Sequence, residues 1–150
     1  MDINKLDFRF LKVKNGKPFF AIVNLSAEQI LSSNEIIENY SGNGFTFQGN
    51  IESVPNNGYD DWKIAANSGV KFVLNLSDKN WRVTINSLEG RIATDTNPTI
   101  IGYTTILALC NSINFQINDN LKEKIENFVF QSWDNDNDSK IPNFETLEYN

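Results

Sequence analysis

The chain has 150 residues, 13 of them basic, 19 acidic and none histidine, so its formal net charge is −6 and its pI is near 4.6. This charge opposes binding to nucleic-acid phosphates and favours a basic protein partner. The lack of histidine removes the commonest general base, every Ser-His or Cys-His nucleophile and nearly all zinc sites.

The first residues, MDINKLDFRF, lack the basic and then apolar layout of a signal peptide. No apolar run in the chain approaches the roughly 18 residues of a membrane span. The sequence therefore predicts a cytoplasmic protein without a membrane segment.

Residues 7–25 predict a β-hairpin. Its strands, DFRFLKVK and PFFAIVNL, are rich in β-branched and aromatic residues, and NGK between them supplies the turn with Gly16 at positive φ. Next, SAEQ matches a capping box from Ser26 to Gln29, so either a short helix or a long loop is expected before residue 45. FTFQGNIESVP then predicts a strand that ends at Pro55.

The clearest helix is expected to begin at Asp60 or Asp61, because apolar side chains recur at helical spacing from Trp62 to Leu76. Gly69 lies inside this helix at a cost of about 1 kcal/mol relative to Ala, which predicts a close approach to another backbone. The next segment, WRVTINSLEGRIAT, predicts a strand with a turn or bulge at Glu89-Gly90.

Two further helices are predicted. One begins at Pro98 behind a cap from Thr96 or Asn97, and the other covers NDNLKEKIENFVFQSW with Ile125 and Phe128 on its inner face. Together the elements predict one α+β domain, a two-layer sandwich in which a sheet of about four strands carries two to three helices on one face.

Residues 134–150 predict a flexible acidic tail, because disorder concentrates at termini. The alternative is a weak calcium loop. The residues at the first, third, fifth, seventh and twelfth positions of an EF-hand would be Asp134, Asp136, Asp138, Lys140 and Glu145. Ser139 replaces the Gly that the sharp turn needs, and Pro142 occupies the ninth position. The solvated tail is thus the stronger prediction, and Ca²⁺ is the one cofactor that the sequence suggests.

No sequence motif assembles a catalytic site. Asp60 and Asp61 could form a carboxylate pair, but a helix cap with a charge at the positive end of the helix dipole explains them better. Asp95 is explained as a residue at the start of the next helix, and Cys110 as a small buried hydrophobe. Three tryptophans fall on inferred inner faces and predict core: Trp62, Trp81 and Trp133.

Residues 45–112 resemble the fourth domain of elongation factor G in the order and spacing of their motifs. FTFQGNIESVPNNGYDDWKIAANSGV follows that family's F-x-F strand, V-P-x-x-Y passage and helix with an Ala and a Gly, and VTINSLEGRIATDT leads into NPTIIGYTTILALC as the next strand and helix. The resemblance implies the ribosomal protein S5 domain 2-like fold. It also implies a functional tip at the hairpin VKNGKPF and at Ile92, where that family has histidine.

The function predicted from these observations is a non-enzymatic binding protein that presents acidic loops to a basic protein, as immunity proteins and antitoxins do with nuclease toxins. The predicted partner-binding residues are Asp60, Asp61, Glu89, Asp95, Asp134, Asp136 and Asp138. An alternative is a stand-alone factor that contacts the ribosome or RNA through Lys12, Lys14, Lys17 and Arg91. A third is an enzyme with two carboxylates in a cleft.

Overall fold

A computed structural model describes residues 7–47 and 49–150. Its strands are β1 Asp7–Lys14, β2 Lys17–Ile30, β3 Glu35–Glu38, β4 Glu52–Ser53, β5 Asn80–Gly90, β6 Pro142–Asn143 and β7 Glu148–Tyr149. Its helices are α1 Asp60–Leu76, α2 Pro98–Ile113 and α3 Asp119–Val129, with a 3₁₀ turn at Asn137–Ser139.

The main sheet has the strand order β1-β2-β5-β3. The short strand β4 pairs with the last two residues of β5, on the same edge of β5 as β3. Only the β3–β5 pair is parallel among these described pairings. The β1–β2 hairpin turns at Asn15 and Gly16, both at positive φ, which confirms the predicted hairpin. Between β2 and β5 the register shifts at Asn24/Leu25.

The helices α1 and α2 pack side by side on one face of the sheet and run in the same direction. A Cβ on Gly69 of α1 would lie 2.5 Å from the carbonyl oxygen of Gly102 in α2, so the predicted close backbone approach at Gly69 is confirmed. The sheet face beneath the helices contributes Phe19, Val23 and Ile85 to one hydrophobic core. The predicted α+β sandwich in a single domain is thereby confirmed.

The last seventeen residues are not a solvated tail, so that prediction is wrong. Residues 141–150 form a small hairpin in which Phe144 is 1% exposed and packs against Phe72 and Phe128. Tyr149 stacks on Phe128 with ring centroids 4.3 Å apart. The tail's own sequence does not show this packing, because its few apolar residues find their partners outside the segment, on α1 and α3.

Two other local predictions are also wrong. SAEQ forms the end of β2, because Ser26–Gln29 pair with β5 and the ladder hydrogen bonds replace a helix cap. The described residues of the 45–55 segment form a loop, whose two ends pair at Gly44 and Ser53. Regular strand in this segment is limited to the two residues of β4 among the described residues. Gln48, within the predicted strand, lies outside the described residues.

In the part of the chain that the structure describes, no helix is long and apolar enough to cross a membrane.

Candidate functional site

The fold gathers the seven predicted acids at one end of the molecule. Strand β5 ends at Gly90 there, the loop that carries Asp95 follows, and the backbone N–H of Phe20 donates to the carbonyl of Asp95 at 2.9 Å. Helices α1 and α2 both begin at this end, since their first residues line one cavity with Asp138. Acids that are scattered in sequence therefore lie at the same end of the molecule.

Three of these acids are neutralised within the chain. Arg91 pairs with Asp95 at 3.2 Å, Lys17 with Asp134 at 3.5 Å, and Lys140 with Asp136 at 3.2 Å. Glu89 alternates with the core residue Leu88, so its side chain lies on the sheet face away from the helices. Three of the four acids thus have a cation beside them, and the fourth, Glu89, lies on the other face of the sheet.

The other three acids, Asp60, Asp61 and Asp138, line a cavity of about 410 Å³. None of the three side chains forms an ion pair or a hydrogen bond with any residue in the ranges 7–47 and 49–150. Asp60 and Asp61 are exposed in the first turn of α1, and Asp138 is half-buried in the 3₁₀ turn. We call this the aspartate–tryptophan cavity, because these three aspartates and two tryptophans, Trp62 and Trp133, line it.

Aromatic side chains form the walls of this cavity. Tyr59, Trp62 and Trp133 line the cavity, and the rings of Tyr59 and Trp62 meet edge-on with centroids 5.2 Å apart. Trp62 is buried, as predicted. Trp133 is half-buried and donates its indole N–H to the carbonyl of Pro18 at 2.7 Å, so it forms a wall rather than the interior of the core.

A network of buried polar groups holds this end together. Glu52, 3% exposed, accepts hydrogen bonds from the Tyr59 hydroxyl and from the backbone N–H of Ile92 at 2.8 Å. Burial, reinforced by the bond to Glu52, raises the pKa of Tyr59 above its ordinary value. Because Tyr59 and Ile92 both line the cavity, Glu52 positions two of its walls.

Asn97 links the start of α2 to the segment that carries Trp133. Its side-chain oxygen accepts from the N–H of Ile100 at 2.9 Å, which confirms the predicted cap. Its amide nitrogen donates to the hydroxyl of Ser132 at 3.0 Å. The predicted cap by Asp60 or Asp61 is wrong, because α1 has Tyr59 in the N-cap position and both aspartates lie in the first turn.

The electrostatic balance of the cavity favours a cation. The positive ends of α1 and α2 contribute about half an elementary charge each. Three carboxylates exceed those two partial charges by about two elementary charges. With aromatic faces beside them, the cavity offers both charge pairing and cation–π contact.

The five candidate calcium ligands are not gathered. Lys140 pairs with Asp136, and Glu145 accepts from the side chain of Asn75 at 3.2 Å on another surface. Within the described ranges, no three His, Cys, Asp or Glu side chains are close enough together to hold a metal ion. In this structure the five side chains do not converge, and Ca²⁺ binding stays a prediction.

Two other cavities have a different chemistry. A groove of about 510 Å³ along α1 contains two lysines and two glutamates, Lys63, Lys71, Glu38 and Glu145, so it has no excess of either charge. A second, beside Cys110, is lined by one acid and one lysine. Burial raises the pKa of Cys110 to about 11, so its thiol is protonated and unreactive at neutral pH.

The cations proposed for an RNA-binding tip are partly engaged by the chain itself. Lys17 and Arg91 pair with Asp134 and Asp95, and the Lys14 ammonium lies over the Phe130 ring at 5.0 Å. Arg91 also lies over Phe20, at 5.1 Å from the ring centroid.

Three of the seven predicted partner-binding acids line the cavity, whereas sequence reasoning did not point to its walls or to its support. Trp133 and Glu52 carry no local pattern that marks them. Helix periodicity assigned Trp133 to a buried face, and a lone Glu in an expected strand is indistinguishable from a solvated one.

No model of a known protein family matches the chain. A search of curated proteins found no significant match either.

Proposed function

We propose that this protein is a binding module whose aspartate–tryptophan cavity receives a cationic side chain of a basic protein. The observation that carries the proposal is the division among the acids. Asp95, Asp134 and Asp136 have internal cations, whereas Asp60, Asp61 and Asp138 have none in the described chain and line the cavity.

The division matters because the three carboxylates that line the cavity have no cation of the described chain to compensate them. A lysine or arginine of a partner can therefore pair with them without displacing an internal cation. A cation over an aromatic face adds about 0.5–2 kcal/mol. A cavity of about 410 Å³ also lies within the size range of small-ligand sites.

A role in neutralising a basic protein, of the immunity or antitoxin kind, fits this arrangement. Such inhibitors need fast association, and an acidic face accelerates encounter with a basic partner at low ionic strength.

The test uses arginine-rich and lysine-rich peptides as probes, with fluorescence anisotropy at low and moderate salt. The triple variant Asp60→Asn/Asp61→Asn/Asp138→Asn should bind them about 10- to 100-fold more weakly and with a shallower salt dependence.

The control changes the net charge equally at the other end of the molecule: Asp78→Asn/Asp119→Asn/Glu123→Gln. This variant should bind nearly as well as the unaltered chain. Equal weakening in both variants would show that the net charge acts diffusely and would contradict a role for the cavity.

A further inference from the structure

Four apolar side chains are exposed at the end of the molecule that contains the aspartate–tryptophan cavity. Phe45 is 56% exposed, Phe47 63%, Ile51 41% and Ile92 46%. Large apolar groups close together on a surface mark interaction sites more often than singly scattered ones do. We call these four residues the phenylalanine patch.

The fold holds the patch against the rim of the cavity. The loop that carries Phe45 and Phe47 is closed at its base, where the N–H of Gly44 donates to the carbonyl of Ser53 at 2.8 Å. The guanidinium of Arg91 donates to the carbonyl of Gly49 at 3.1 Å, and the next residue, Ile92, lines the cavity. Ile92 therefore belongs to both the patch and the cavity, and the residue before it, Arg91, is bonded to the loop that carries Phe45 and Phe47.

We infer that the phenylalanine patch receives an apolar side chain of the same basic partner segment whose cation enters the cavity. The inference rests on the proposed function and names its recognition motif: a lysine or arginine close to a large apolar residue. Interfaces commonly combine an apolar anchor with charges that set orientation.

The negative charge of the cavity favours a basic protein segment over a lipid surface as the binding partner of the phenylalanine patch. Asp60, Asp61 and Asp138 beside the patch repel anionic headgroups, whereas a basic segment meets the same carboxylates favourably. A cationic and apolar peptide therefore satisfies both halves of the surface.

The experiment selects a display library of short random peptides on three proteins: the unaltered chain, Phe45→Ser/Phe47→Ser, and the matched control Leu31→Ser. Leu31 is 100% exposed in the β2–β3 turn, away from the cavity. Affinities of an enriched peptide are then measured by anisotropy, and binding to phosphatidylcholine and phosphatidylglycerol vesicles is measured by sedimentation.

On the unaltered chain and on Leu31→Ser, we expect peptides with Lys or Arg near a large apolar residue. Phe45→Ser/Phe47→Ser should retain the basic preference, lose the apolar one and bind the enriched peptide about tenfold more weakly or worse. Thermal melting of all variants should be unchanged, because the substituted side chains are exposed.

Basic peptides without an apolar preference would overturn this inference and leave the proposed function in place. No enrichment of Lys or Arg on the unaltered chain would overturn the proposed function itself. Vesicle binding that is lost in Phe45→Ser/Phe47→Ser would instead assign the patch to a lipid surface and overturn the choice of a protein partner.

Discussion

Glu52 and Asp61 are carboxylates at the same end of the molecule, yet the fold depends on only one of them. Glu52 is buried and accepts hydrogen bonds from Tyr59 and from Ile92, so its removal leaves donors without partners. Asp61 is exposed and has no such partner in the described chain. In sequence Glu52 follows Ile51 and Asp61 follows Asp60. Neither context marks a buried carboxylate, and only tertiary contacts separate their roles.

Replacing Glu52 by Ala should lower the free energy of unfolding by about 2–3 kcal/mol, because two donors lose a charged acceptor in a buried place. Glu52→Gln should cost less, since its carbonyl oxygen can still accept one of the bonds. Urea denaturation measures both changes, with the exposed Glu123→Ala as control, expected within about 0.5 kcal/mol of the unaltered chain. A similar loss in Glu123→Ala would contradict this role of Glu52.

Helices and the first hairpin could be predicted from sequence because their patterns are local. The repeat of apolar residues in α1, the Asn97-Pro98 start of α2 and the Asn-Gly turn each identify an element without its neighbours. The end of β2 could not be predicted, since a capping-box pattern at Ser26 is overridden by pairing with β5, more than fifty residues later in sequence.

The α1–α2 contact provides a prediction at this scale. Gly69→Ala would gain about 1 kcal/mol of helix propensity, but its Cβ would lie 2.5 Å from the carbonyl oxygen of Gly102. Overpacking against backbone costs about 1–3 kcal/mol or more, so the net effect should be a loss of stability, measured by thermal melting.

The neighbouring substitution Ser68→Ala serves as its control. It removes a hydroxyl from a half-buried position of the same helix and should be neutral or slightly stabilising. If Gly69→Ala raised the melting temperature as Ser68→Ala does, the two helices could separate without cost and the close contact would not matter.

The C-terminal hairpin packs against the helices and completes the core of the molecule. An acidic segment with isolated apolar residues is typical of a solvated tail when only its own sequence is considered. Its apolar residues are buried because they pack against α1, α2 and α3. Phe144 fills the space that Gly102 leaves open, where a Cβ would lie 2.6 Å from the ring. The candidate site likewise depends on tertiary packing, because its lining residues come from separate segments, 59–62, 92–98 and 133–138.

Phe144→Ala should therefore lower the free energy of unfolding by about 3–5 kcal/mol, as expected for a large aromatic removed from a core. Chemical denaturation measures the loss, and Phe47→Ala is the matched control, because that ring is 63% exposed and should change stability by no more than about 0.5 kcal/mol. Equal stability of the two variants would mean that the hairpin is detached in solution.

The three carboxylates of the cavity form no ion pair or hydrogen bond within the described chain, so the fold does not constrain which residues occupy their positions. Substitutions at Asp60, Asp61 or Asp138 change the surface charge at little cost to the fold, whereas changes at Glu52, Gly69 or Phe144 do not. Under the proposed function, recognition can therefore diverge at these three positions while the scaffold is kept. Relatives with different partners are expected to vary there first.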